Sequence, residues 1–238
     1  MGDSNLRERA EEHGVRLTDE QIAQLDLYAR MLEEWSLRAN LVGDASREVL
    51  ERRHFLESIA FGAALREREL LRPDSTVLDV GAGAGFPGIV LKIAWPGIVL
   101  TLLEATSKKT AFLSAAVEAL DLPDVSVLTG RAEELGHDAA LRGRFDLVVA
   151  RAVAPLPVLL ELALPFARVG GRLAAVKGSR AAEELAGSRR ALQVLRARAM
   201  SMPLHVPGPA QQIIVAAKLG ETPDEYPRRP GVPAKQPL

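Results

Sequence analysis

The chain has 238 residues, no cysteine, 47% hydrophobic and 26% charged residues, and a formal net charge of −1. That length accommodates one substantial α/β domain with a small helical attachment, and the lack of cysteine excludes disulfides, Cys-ligated zinc, iron–sulfur clusters and thiolate nucleophiles. A near-neutral balance argues against a protein that coats nucleic acid non-specifically, and with neither an apolar membrane run nor a secretory h-region the expectation is a cytoplasmic protein.

Thr18-Asp19-Glu20-Gln21 has the spacing of a capping box, and Ile22, Leu25, Ala29, Leu32 and Trp35 recur at helical intervals behind it. A second helical stretch is expected from Ser46 to Glu69, closed by Pro73. Residues 1–72 therefore read as an N-terminal helical cap. From Thr76 short apolar runs alternate with helical stretches, the pattern of a parallel sheet with crossover helices. Strands are expected near 76–80, 98–103, 125–129, 145–150 and 171–177, with helices over 89–94, 107–120, 133–141 and 157–166. A helical run from Ala181 to Arg198 and strands over 203–206 and 212–218 follow, the last two forming a hairpin that adds an antiparallel edge. Residues 73–220 thus read as a Rossmann-like α/β domain with a mostly parallel seven-stranded sheet. The last 18 residues hold five prolines and three basic residues, so 221–238 are expected to form an extended tail.

In an open parallel sheet, ligands bind beyond the carboxyl ends of the strands. After the first strand come Asp79 and a loop with Gly81, Gly83 and Gly85, whose missing side chains permit close approach of the backbone to a ligand. After the second comes Glu104, placed to accept from both ribose hydroxyls. Gly83-x-Gly85-x-x-Gly88 also satisfies a dinucleotide fingerprint. Its register argues otherwise: Gly81 occupies the first position after the strand and Pro87 interrupts the match. The Asp-x-Gly-x-Gly-x-Gly form suits a nucleoside with an amino-acid tail and no pyrophosphate, which is S-adenosylmethionine. After the third strand Arg131-Ala132-Glu133-Glu134 would border an adenine ring, although acids also suit the first turn of a helix on dipole grounds alone. After the fourth comes Arg151, able to engage a substrate or the methionine carboxylate. Asp146, at the other end of that strand, reads as structural.

Arg53, His54, Lys108, Arg131, Arg151, Lys177 and Arg180 gather on the expected cofactor side as a rim that could face RNA. His13, His137 and His205 share no metal-ligand spacing, so no metal site is expected. A methyltransferase acting on a small molecule or protein, and a non-catalytic RNA-binding protein on the same scaffold, stay open as alternatives.

From about Leu17 to Lys218 the chain resembles the bacterial 16S ribosomal RNA (guanine-N7) methyltransferase G family, also called glucose-inhibited division protein B. The resemblance rests on Asn40-Leu41, Arg53-His54-x-x-x-Ser58, Gly85-Phe86-Pro87-Gly88, Leu103-Glu104-x-x-x-Lys108-Lys109, Arg131-Ala132-Glu133-Glu134, Arg151-Ala152-Val153-Ala154 and Lys177-Gly178. It implies a class I methyltransferase fold and methyl transfer to N7 of one guanosine in 16S rRNA, in the small ribosomal subunit or an assembly intermediate, by an enzyme expected to be a monomer without membrane association. Carried over by position, the cofactor contacts fall on Gly81, Phe86, Glu104, Ala105, Thr106, Ala132, Glu133 and Arg151. Asn40, Arg53, His54 and Lys177 match further motif positions and are expected to face RNA. Tyr226-Pro227-Arg228-Arg229 is similar to the tail of some members. Glu57 stands where the family has aspartate, Val42 where threonine is common, and Gln212 where an arginine often precedes the last strand, which weakens any RNA contact at that edge. Guanine N7 carries an in-plane lone pair and no proton, so neither a general base nor a covalent nucleophile is required, and no catalytic acid or base is assigned. Covalent pyrimidine C5 methylation would need a cysteine.

Overall fold

The computed structural model describes residues 3–39 and 41–238, with the side chains of 3–5, 38 and 39 left aside. Asn40 lies outside the described residues. The chain opens with helices α1 (Asp3–Glu12), α2 (Asp19–Ala39) and α3 (Arg47–Val49), a π-helical segment (Leu50–Phe55), and α4 (Leu56–Glu67). The capping box at α2 closes as expected: the Gln21 amide donates to Thr18 Oγ1 at 3.2 Å and the Thr18 amide to Gln21 Oε1 at 2.9 Å. Helix α1 has no counterpart in the expected elements, because Leu6 and Ala10 are the residues it buries and they make too thin a periodic signal. Within the expected stretch 46–69, the π-helical segment buries Leu50 and Phe55 and leaves Arg52 and Arg53 exposed.

The sheet strands are β1 (Thr76–Val80), β2 (Val99–Glu104), β3 (Val125–Thr129), β4 (Phe145–Arg151), β5 (Ala167–Lys177), β6 (Ala197–Leu204) and β7 (Gln211–Lys218), in the order β3-β2-β1-β4-β5-β7-β6. The first five are parallel, and β7 runs antiparallel to both β5 and β6. Helices α5 (Gly88–Ala94), α6 (Ser107–Ala119), α7 (Ala132–Leu135), α8 (Leu156–Ala163), α9 (Ala181–Gly187) and α10 (Arg189–Val194) connect them, and α11 (Val232–Lys235) follows β7.

Several boundaries differ from the sequence expectation, and the helix expected over 133–141 is only the single turn Ala132–Leu135. The helical run over 181–198 breaks at Ser188, whose hydroxyl donates to the Glu184 carbonyl at 2.7 Å. Strand β6 then begins at Ala197, because pairing with Lys218 overrides the helix propensity of an Ala/Arg-rich stretch. Strand β5 begins four residues before 171, across a register irregularity between Phe145 and Leu147. Gly171 permits this: a Cβ there would lie 2.9–3.0 Å from the carbonyl oxygens of Arg168, Phe145 and Asp146.

One face of the sheet packs against the helices of residues 1–72 through Leu17, Tyr28, Phe55, Ile89, Leu102 and Val215, in a single continuous core. The other face buries Val148, Leu159, Phe166 and Ile214. Residues 221–238 do not run out as an extended tail. They fold back onto this second face, where the buried Glu161 accepts from the Arg228 backbone amide, Nε and Nη2 at 2.8, 2.8 and 2.6 Å. Arg142 donates to the carbonyls of Thr222, Pro223 and Tyr226 at 2.8–3.1 Å, and His137 Nε2 lies 2.7 Å from the Pro227 carbonyl. Proline favours such docking, since fixed φ lowers the entropy lost on ordering, and a guanidinium can serve carbonyls that no strand pairs. Asp146 is structural, accepting from Thr76 and Arg168 where β4 begins.

Candidate functional site

The loop after β1 turns on glycines with left-handed φ: +70° at Gly81, +60° at Gly83 and +93° at Gly85. Two of these also lack room for a side chain. A Cβ at Gly81 would sit 2.9 Å from Val153 Cγ2, and one at Gly85 would sit 2.5 Å from Tyr28 Oη. Tyr28, on α2, donates its hydroxyl to the Ala84 carbonyl, so the cap fixes the loop from below.

Glu104 ends β2 beside this loop, because the parallel register pairs Val80 with Leu103. Its Oε2 accepts the Gly83 amide at 3.0 Å and its Oε1 the Thr106 amide at 2.9 Å. The carboxylate thereby joins two loops, each oxygen retaining acceptor capacity, with Gly81 half-buried and Ala105 and Thr106 exposed around it. Ala132 and Glu133 open α7 after β3, the next strand, where Gly130 donates to the Glu104 carbonyl. Glu133 is already engaged: its Oε1 accepts the amide of Gly231 from the folded-back C-terminal segment at 3.1 Å.

Asp79 lies beneath the loop, fully buried. Its Oδ2 accepts the Gly88 amide at 2.9 Å, and its Oδ1 has no partner among the described residues. Burial pushes this carboxyl up to about 7, outweighing the Gly88 hydrogen bond and the Arg151 charge that favour ionisation.

Phe86 is 4% exposed, so its ring is part of the core and only its backbone faces the loop surface. His54 stacks on that ring, centroids 4.9 Å apart, and the Arg151 guanidinium sits 4.8 Å from its centre. Arg151 Nη1 donates to Glu57 Oε1 at 3.1 Å and Nη2 to His54 Nδ1 at 2.9 Å, while Glu57 Oε2 accepts from Gln211 Nε2 at 2.9 Å. Because arginine only donates, His54 Nδ1 is the acceptor and the ring is neutral. Burial, then the charges of Arg151 and Arg53, lowers its pKa to about 4.

Arg151, Glu57 and Gln211 line one wall of a cleft of about 690 Å³ that also takes in Arg53, Lys177 and the turn between β6 and β7, and His54 adjoins it through Arg151. Lys177 Nζ donates to the Ala154 carbonyl at 2.6 Å and to Glu184 Oε2 at 2.9 Å, while Arg53 is exposed and makes no ion pair among the described residues. Lys108, Arg131 and Arg180 lie exposed on the surrounding surface. The structure thus brings Gly81, Glu104, Ala105 and Thr106 together, places Ala132 and Glu133 on the adjoining strand end, gathers Arg53, Arg151 and Lys177 at the cleft, and sets His54 against Arg151 and Phe86 beside it. Sequence reasoning missed Tyr28, Glu184 and Gln211, and it treated Glu57 as a conservative departure. No local signal marks them: Tyr28 and Gln211 act on partners 56 and 154 residues away, and Glu184 accepts the Leu156 amide across 28.

The residues present fit S-adenosylmethionine. A glycine loop admits a ligand against its backbone, a carboxylate at the end of β2 can take ribose hydroxyls, and the unpaired Asp79 oxygen under the loop offers an acceptor to a positive amino-acid head group. Among the described residues, no group of three or more His, Cys, Asp or Glu is arranged to hold a metal.

The family described as GidB, rRNA small subunit methyltransferase G, matches residues 21–214. A protein of Acetivibrio thermocellus named ribosomal RNA small subunit methyltransferase G is 41% identical over 236 residues, covering 98% of this chain and 95% of that protein. A protein of Chloroflexus aggregans with the same name is 41% identical over 94% of this chain and 93% of its own length. Among solved structures, the O-methyltransferase from Bacillus cereus in complex with SAH superposes with a TM-score of 0.56 at 19% identity, covering 79% of this chain and 89% of that one. An S-adenosylmethionine-dependent methyltransferase from Aquifex aeolicus gives a TM-score of 0.52 at 19% identity, covering 72% and 93%. These two likenesses establish the class I methyltransferase fold.

Proposed function

The chain belongs to the rRNA small subunit methyltransferase G family, and from that premise we propose that it transfers a methyl group from S-adenosylmethionine to N7 of one guanosine in 16S rRNA. The observation that carries this reading is the adjacency of two unlike surfaces: the glycine loop with Glu104, and the cleft where Arg151, Arg53 and Lys177 converge. Bound S-adenosylmethionine would supply an electrophilic sulfonium methyl.

The protein's part is placement. Gly81, the Phe86 backbone, Ala105 and Thr106 shape the nucleoside site, Glu104 takes the ribose, and Ala132 and Glu133 border the adenine. Arg151, at the boundary of loop and cleft, orients the amino-acid end of the cofactor or the incoming base. Arg53, His54 and Lys177 face the RNA. Guanine N7 presents a lone pair without a proton, so alignment and exclusion of water are the contributions required, and no side chain has to remove a proton. A neutral His54 adds no charge against the positive charge that moves from sulfur to guanine.

On this reading the enzyme works in the cytoplasm, as a monomer on the small subunit or its assembly intermediate; among the described residues no helix is long and apolar enough to cross a membrane. N7-methylguanosine mapped in 16S RNA from cells with and without the protein tests the proposal: loss of one modified position is expected. Labelled methyl transfer that enters only protein or small molecules, and never RNA, would overturn it.

A further inference from the structure

Away from the methyl-donor site, three arginines surround one concavity. Arg172 on β5 and Arg198 on β6 both stand in register with Ala217 on the intervening strand β7, so their side chains leave the same face of the sheet. Arg68, at the C-terminal end of α4, closes the third side. The concavity measures about 390 Å³, its remaining lining is apolar, with Leu70, Met200 and Val215 among it, and among the described residues no acidic side chain lines it. None of the three arginines makes an ion pair among the described residues. In a chain whose formal net charge is −1, three uncompensated guanidiniums around an apolar floor concentrate a positive field at one place, since low-dielectric walls focus it.

The patch is continuous with the site already described. A larger cleft of about 920 Å³ shares Arg68 and Met202 with it, adds Arg16, Arg66 and His205, and ends next to Val206 of the acceptor-side cleft; Glu12 and Glu67 are the acids on its walls. Along β5, Arg172 stands five residues before Lys177, roughly 17 Å at strand rise, and the odd offset turns the two side chains to opposite faces, so the continuity runs through the larger cleft.

We propose that Arg68, Arg172 and Arg198 form a second RNA contact, binding backbone phosphates of the same substrate strand whose guanosine enters the cleft at Arg151. The inference rests on the rRNA reading of that cleft. Guanidinium forks match phosphate oxygens in pairs, and such contacts set affinity and register without reading sequence. The patch therefore supplies binding while the cleft supplies selection.

The test is the double variant Arg68→Glu/Arg198→Glu, which leaves Arg172 and its hydrogen bonds to the Gly170 and Gly171 carbonyls in place. Expected are a rise of about tenfold in KM for 16S RNA or small subunits and a fall of about two in the slope of log affinity against log salt, one per contact removed. The affinity for S-adenosylmethionine and kcat at saturating RNA stay unchanged. An unaltered KM and salt slope, with 16S methylation intact, overturns the second contact and leaves the first reading standing. Failure of the unmodified protein to methylate any RNA would instead overturn the reading on which it rests. A change in oligomeric state of the double variant by sedimentation, with RNA binding unaltered, would assign the patch to contact between copies and overturn it as well.

Discussion

The two sides of the β1 carboxyl end are held in place by different means. On the side of β3 and α7, the wall that would border the adenine is pinned by the C-terminal segment: Glu161, with no exposure, receives three bonds from Arg228, and Arg142 binds four carbonyls. Most of these acceptors belong to the backbone and move only with the chain. On the side of β4 and the cap, the wall is a relay of side chains, Gln211 to Glu57 to Arg151 to His54, in which each member orients the next. A surface that receives one unchanging small molecule can be built rigidly. On the proposed reading the second surface admits a base of the RNA, and hydrogen-bonded groups of this kind depend on one another.

Arg228→Ala tests the rigid side and should have the largest effect. It leaves a buried carboxylate without its counter-charge, a loss of about 3–5 kcal/mol, which in a chain of this size lowers Tm by about 10 °C. Calorimetry checks this, and S-adenosylmethionine affinity should weaken in parallel as Glu133 loses the Gly231 amide. A Tm change of one or two degrees would mean that the segment is draped rather than anchored.

Glu57→Gln tests the relay. It keeps the shape and removes the charge that faces Arg151, whose side chain is 14% exposed and can partly rehydrate. The expected stability loss is therefore smaller, about 1–2 kcal/mol, with kcat/KM for RNA falling about tenfold. Steady-state kinetics beside a melting curve separate the two, and an unchanged kcat/KM would show that the relay does not orient Arg151 for the reaction.

Legibility in the sequence follows the same division. The five parallel strands, the glycine loop and the positions of Glu104 and Arg151 at strand ends are local patterns, and the structure bears out their placement. The cross-links are not local. Gln211 reaches Glu57 across 154 residues, Gly231 reaches Glu133 across 98, and Arg228 reaches Glu161 across 67. No periodicity encodes such a pair, and a proline-rich segment reads as extended until its partner arginine is known. The π-helical segment that carries Arg53 and His54 was equally hidden, since one five-residue gap between its buried Leu50 and Phe55 is too short a signal to set against the helical stretch that continues from it.

A pH series gives the smallest net effect in the parent protein and the finest test of the relay side, because the buried Asp79 and the half-buried His54 titrate in opposite senses. Asp79 has a folded pKa of about 7, above the ordinary 3.8, so its contribution to stability is fully present below pH 3.8 and is lost as pH rises through about 7. His54 has a folded pKa of about 4, below the ordinary 6.5, so its contribution is present above pH 6.5 and is lost as pH falls through about 4. Between pH 4 and 6.5 acidification therefore favours the fold at Asp79 and opposes it at His54, each by no more than about 1.4 kcal/mol per pH unit. The variants separate them when Tm is compared with the parent protein at each pH. Asp79→Asn lacks the gain, so its Tm relative to the parent falls on acidification. His54→Gln lacks the loss, so its relative Tm rises over the same interval. Two differences that moved in the same direction would show that the groups do not experience the opposed burial and charge that the geometry gives them.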